Sequence, residues 1–214
     1  MAKLPNGVLG NFSGKVGNIV GYTYKGQQCI KQATRKTTKA PTAAQLAQRA
    51  RFSLAGRFLK PINHFLNGLP PKSRNANSRS STAIALVQKA MVNDGESWRI
   101  NYPEVVLCEG NYGYFSSEVA ACPSGFSFQC QQAPWARERM EMVYFLIYLP
   151  EYDHWIIEEA EFEGEKAKGE VVFENCPKET TAEVFAISTF SRGSKTTYSF
   201  YAGSVQITPT TNPE

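Results

Sequence analysis

Apolar positions change their period along this chain. From Gly7 to Ala33 glycine is dense, yet the intervening side chains alternate as in strands. Val16, Asn18, Val20, Tyr22 and Tyr24 are predicted to share one face, opposite Gly17, Ile19, Gly21 and Thr23. A turn at Lys25-Gly26 leads into Gln27 to Gln32 and completes a hairpin, which Val8 to Phe12 extends to a three-stranded meander. Glycines on one face leave backbone bare, so another group is expected to pack against it closely. Pro41-Thr42 then opens a helix, because the Thr hydroxyl can accept from the N3 amide while Gln45 reaches back to the cap. The helix is predicted over Ala43 to Lys60, with Leu46, Ala50, Leu54 and Phe58 as its apolar stripe, and Pro61 ends it. A basic loop from Pro70 to Ser81 leads to a second helix, Ser81 to Val92, which stops at Asp94-Gly95.

Beyond Trp98 the period falls to two. Strands are predicted near 104–108, 114–120, 126–131, 140–148, 155–163, 170–173, 182–190 and 198–207. That many short strands in so few residues defines an α+β chain, mainly β, with a β-sandwich after the helices. Two strands depart from simple alternation. Met140, Met142, Tyr144, Leu146 and Tyr148 are apolar, and so are Val143, Phe145, Ile147 and Leu149 between them; Val184 and Ala186 likewise oppose Phe185 and Ile187. An antiparallel strand with one wet face alternates, so these two are expected to be covered on both sides, the outer one by the N-terminal helices.

Charge adds a second division. Residues 1 to 93 contain 15 Lys and Arg and no carboxylate, whereas residues 94 to 214 contain 8 basic against 19 acidic side chains, for a net charge of +4. The chain is therefore expected to comprise a basic region at 1–93, an acidic sandwich at 94–208 and a disordered tail at 209–214. Such asymmetry points to a polyanionic partner or to attraction between the halves, within one chain or between copies. Met1-Ala-Lys-Leu-Pro-Asn-Gly lacks the apolar run of a secretory signal, and no segment approaches the roughly 20 apolar residues of a membrane span, so a cytoplasmic protein with no membrane partner is expected. The five cysteines, 29, 108, 122, 130 and 176, form no Cys-x-x-Cys pair and read as reduced thiols, with Cys122 and Cys130 able to bridge only in an oxidising compartment.

Certain segments resemble a known family. GKVGNIVGY at Gly14 to Tyr22, TAAQLAQR at Thr42 to Arg49 with Phe52 and Phe58 beyond, and SFYAGSVQI at Ser199 to Ile207 are similar to an uncharacterised family from Bacteroidetes, classed as a domain of unknown function. The resemblance implies a basic N-terminal segment followed by a sandwich like fibronectin type III or immunoglobulin domains. It implies no activity and no site residues. Cys122 to Arg139, richer in Cys, Gln and Pro, departs from the family pattern.

Motifs with chemistry are few. Gly10 to Lys15 lacks the glycine spacing of a phosphate loop, and Val16 stands where the hydroxyl is needed. His64 and His154 are the two histidines, and Asp153-His154 supplies two potential metal ligands without a third. No catalytic residue, cofactor or metal site is expected, and the chain reads as a non-enzymatic interaction or assembly protein whose partner is a protein, itself or another. Glu159, Glu161, Glu163 and Glu165 would lie on one face of a strand, as an acidic partner surface or a solvated edge that blocks sheet pairing. The alternative is sequence-independent nucleic-acid binding. Lys15, Lys25, Lys31, Arg35, Lys36, Lys39, Arg49 and Arg51, interleaved with Tyr22 and Tyr24, have the makeup of a surface that follows phosphates and stacks bases.

Overall fold

The computed structural model describes residues 12–24, 26–34, 38–70, 78–95, 97–110, 115–122, 125–134, 139–172, 179–190 and 198–207. The tail expected at 209–214 lies outside them. The chain divides into two compact units, Met1–Thr42 and Ala43–Glu214. The cut expected before Asp94, placed where charge changes sign, thus runs through the second unit. Burial decides this, because the helices bury their apolar sides on the sheet that follows.

The first unit is a three-stranded antiparallel meander: β1 (Gly14–Val16), β2 (Ile19–Tyr24) and β3 (Gln27–Gln32). The strand expected at Val8 to Phe12 lies, apart from Phe12, outside the described residues, and Gly14–Val16 occupies the first position. Gly17-Asn18 is a two-residue turn with Gly17 at φ +56°, which interrupts the continuous strand expected from Val16 to Tyr24. Val16 consequently pairs with Ile19 and lies on the opposite face from Tyr22. The bare glycine face has a partner: a Cβ on Gly21 would come within 2.6 Å of the Phe12 ring, and the Gln28 side-chain amide donates to the Phe12 carbonyl.

The second unit opens with α1 (Ala43–Leu59), continues through a 3₁₀ turn at Lys60–Ile62 into α2 (Asn63–Gly68), and adds α3 (Arg79–Lys89). Ser78 caps α3, its hydroxyl accepting from the Ser81 amide at 3.3 Å. A small hairpin, β4 (Met91–Asn93) with β5 (Trp98–Ile100), follows where the second helix was expected to continue to Val92. Residues 105–110 form no strand, contrary to the expectation for 104–108. Their amides are held otherwise: Ser199 Oγ accepts from Leu107 N at 2.6 Å and from Cys108 N at 3.0 Å.

Among the described residues seven strands complete the unit: β6 (Phe115–Cys122), β7 (Gly125–Gln132), β8 (Met140–Leu149), β9 (His154–Glu161), β10 (Lys166–Val172), β11 (Thr180–Phe190) and β12 (Phe200–Ile207). They form two antiparallel sheets, ordered β10-β7-β6 and β12-β11-β8-β9. Between the sheets lies one core, with Phe126, Phe128 and Cys130 from β7 facing Val143, Phe145 and Ile147 from β8 and Val184 and Ala186 from β11. Phe128 and Phe145 stack at 3.7 Å between centroids. A second core covers the outer face of the four-stranded sheet, where Leu146, Tyr148, Trp155, Phe185 and Ile187 meet Phe58, Leu59, Ile62, Leu66, Ala83 and Val87 of the helices. The two-sided apolar pattern of β8 and β11 is thereby explained. Each fully buried side chain of this size contributes about 1.5–3 kcal/mol, so neither face could be left wet without a large loss.

The helix stripe is a correction. Only Ala55, Phe58 and Leu59 of α1 are buried, while Ala43 to Ala50 are all exposed and Leu46 is 53% exposed. Four-residue spacing advances about 40° per step on a helix of 3.6 residues per turn, so Leu46 lies roughly 120° round from Phe58 and faces away from the sheet. The alanine-rich first half needs no packing to be helical, since Ala has the highest helix propensity.

Cys122 and Cys130 are both free and cannot bridge. Cys122 pairs with Gly125 beside the turn and Cys130 with Ser117, so the two are separated by about 17 Å along the β6–β7 ladder, beyond disulfide reach.

Candidate functional site

Three surfaces bear on binding. On the meander, cross-strand pairs Lys15↔Val20 and Val20↔Lys31, then Tyr22↔Cys29 and Tyr24↔Gln27, place Lys15, Lys31, Tyr22 and Tyr24 on one face. Lys15, Lys31 and Tyr24 are exposed, Tyr22 is half-buried, and Lys31 Nζ stands 5.2 Å from the Tyr22 ring centroid. Lys25, Arg35 and Lys36 lie outside the described residues, and Lys39 is exposed ahead of α1. Arg49 is also exposed. Arg51 has a different job: its guanidinium sits 5.0 Å from the Trp98 ring and donates to the Gln88 carbonyl, tying α1 to β5 and α3. It is committed to the fold, which its place in a run of arginines did not reveal.

The acidic run is divided by a turn. Glu159 and Glu161 belong to β9, an edge strand of the four-stranded sheet, and both are exposed. Glu163 pairs with Lys166 across a turn containing Gly164 at φ +72°, and Glu165 lies within that turn. Four carboxylates on one strand face are thus reduced to two, because the chain reverses after Glu161.

The third surface was not foreseen as a site. Where the end of α1 meets β5 and the β8–β9 connection, Leu54, Arg57, Phe58, Trp98, Arg99, Ile100, Tyr102, Tyr148, Pro150 and Asp153 line a pocket of about 330 Å³. Asp153 adopts a left-handed conformation at φ 48°, which Asp tolerates better than most residues. Its Oδ1 accepts from the Tyr148 hydroxyl at 2.8 Å, and its Oδ2 lies 3.6 Å from Arg57 Nε. Burial, then the bond to Asp153, holds the Tyr148 phenol well above its usual ionisation range, and burial with nearby Glu183 raises Tyr102 as well. Both rings are neutral at physiological pH. The elements of this pocket are far apart in sequence, so no local motif announces it. His64 and His154 are both exposed, and among the described residues no group of three His, Cys, Asp or Glu could hold a metal ion. No helix among the described residues is long and apolar enough to cross a membrane.

Fold and surfaces together define a mainly β protein, with two facing sheets, helices over one of them and a separate β-meander ahead. The chain belongs to a family of unknown function (DUF6266), whose model matches residues 11–136. The matched span takes in the meander, the three helices and the first hairpin of the two-sheet stack. No curated protein matches the chain.

Proposed function

We propose that this protein is a non-enzymatic assembly module whose docking element is the open first half of α1. One observation carries the reading: Ala43 to Ala50 are exposed on every side, and Leu46 and Phe52 are 53% and 56% exposed, on a helix without a single acidic residue. Apolar exposure on a rigid helix supports a protein partner. Charge names its kind. Arg49 beside Leu46 calls for an acidic surface, and the chain carries one at Glu159 and Glu161 on β9, so the occupant is a second copy. The strand order supports a scaffold: the first, second and fifth of the seven strands form one sheet and the rest the other, an arrangement we read as a fibronectin type III-like sandwich. Light scattering at low and high salt tests the assembly. Oligomers that dissociate on adding salt or on Leu46→Glu are expected, and a monomer at every ionic strength refutes self-assembly.

A second reading rests on the meander. Two lysines and two tyrosines sharing one face supply the phosphate contacts and stacking rings of sequence-independent nucleic-acid binding. Retention on immobilised single-stranded DNA at about 50 mM salt, lost in Lys15→Gln/Lys31→Gln, is the expected result. Free passage of the unsubstituted protein eliminates this reading.

A further inference from the structure

The pocket at the end of α1 is independent of both readings above. Four of its lining side chains are aromatic, Phe58, Trp98, Tyr102 and Tyr148, with the Phe58 and Tyr148 rings edge-on at 4.8 Å. At about 330 Å³ it falls at the lower end of small-molecule sites, with room for one ring and a short substituent. Among its lining residues two guanidiniums, Arg57 and Arg99, outnumber the single carboxylate of Asp153. Their side chains are 72% and 77% exposed, so both stand at the mouth. Each meets its carboxylate through Nε, Arg99 with Asp94 at 2.8 Å and Arg57 with Asp153 at 3.6 Å, and each carries two further nitrogens at its tip. Those nitrogens form the fork that recognises a carboxylate bidentately. The Arg57 contact is too long for a hydrogen bond, so Arg57 can turn to an incoming anion without breaking one.

We propose that this pocket binds a small aromatic carboxylate, its ring against Trp98, Tyr102 and Tyr148 and its carboxylate between Arg57 and Arg99 at the mouth. The orientation follows from charge. Glu183, Asp153 and Glu151 all act on Tyr102, so an anion is repelled from that ring and held at the exposed arginines. A cation is disfavoured at the mouth by the same two guanidiniums, with a third, Arg51, already on the Trp98 ring.

Phenylacetate is the probe, followed by tryptophan fluorescence and by the Trp98 indole N–H in NMR spectra. Acetate, benzyl alcohol and benzylamine separate the contributions of charge and ring. Saturable binding of phenylacetate with a Kd of about 1 mM is expected for a ligand of this size. Either single-feature control, acetate or benzyl alcohol, is expected to bind at least about tenfold more weakly, as are Arg57→Gln and Arg99→Gln, the loss of one charge-assisted contact. Trp98→Ala should abolish binding, but it also trims the second core. The exposed Arg99→Gln, checked for an unchanged melting temperature, therefore decides the matter. Benzyl alcohol or benzylamine binding as tightly as phenylacetate, an undiminished affinity in Arg99→Gln, or no saturation by about 10 mM overturns the proposal.

Discussion

Trp155 is the strictest test of how the helices are held. It lies on β9, 7% exposed, and its indole N–H donates to the Phe58 carbonyl at 2.7 Å. Phe58 is in the last turn of α1, where helix carbonyls lack intrahelical partners, so this bond satisfies a group the helix cannot satisfy itself. The ring also lies 4.9 Å from Phe58, 5.0 Å from Tyr148 and 5.8 Å from Phe185 between centroids. Trp155→Ala removes the ring and leaves a cavity against Phe58, which costs about 3–5 kcal/mol. Trp155→Phe keeps most of the ring and strands the carbonyl, at about 1–3 kcal/mol. Urea unfolding followed by circular dichroism, with an unchanged denaturant slope, measures both. If α1 were not seated on the sheet, Trp155 would occupy an open sheet face and either change would stay within about 0.5 kcal/mol. A value that small for Trp155→Ala refutes the second core.

Three further outcomes are expected. Ser199→Ala leaves the buried Leu107 and Cys108 amides without their shared acceptor and should lower stability by roughly 2–4 kcal/mol, again read by urea unfolding. Gly125→Ala places a Cβ 1.8 Å from the Val171 carbonyl oxygen, so β7 must separate from β10; a loss of about 1–3 kcal/mol and faster amide exchange at the end of β10 should follow. Burial pushes the Cys130 thiol from 9.0 up to about 12, so its contribution is complete below pH 9 and is lost as pH rises towards 12. In this window stability should fall by up to about 1.4 kcal/mol per pH unit from this group, and Cys130→Ala should flatten the slope; an unchanged slope in the variant excludes the thiol as its source.

Much of the fold can be read from local pattern, because period and turn chemistry are local properties. The run Met140 to Leu149 is apolar at every position but Glu141, which required cover on both sides, and the structure supplies a second sheet on one and helices on the other. The acid-free N-terminal stretch survives as a charge feature, though it spans two compact units. Position within the face was harder. Gly17-Asn18 looked like part of a strand until its turn moved Val16 across the sheet. A stripe at four-residue spacing looked continuous until its drift carried Leu46 out to solvent.

By itself, the amino-acid order determined most of the helices and strands, the two-sided strands and the separation of charge, since each depends on neighbours a few residues apart. Only tertiary structure decided which arginine is held within the fold and which stands exposed. Arg51 and Arg57 are six residues apart on one helix, yet one lies over Trp98 and the other stands at the mouth of the aromatic pocket. Their roles depend on β5 and on the β8–β9 connection, which pack against α1 from distant parts of the chain. The same holds for the pocket, whose walls come from α1, β5 and the end of β8 and meet only when the second core forms.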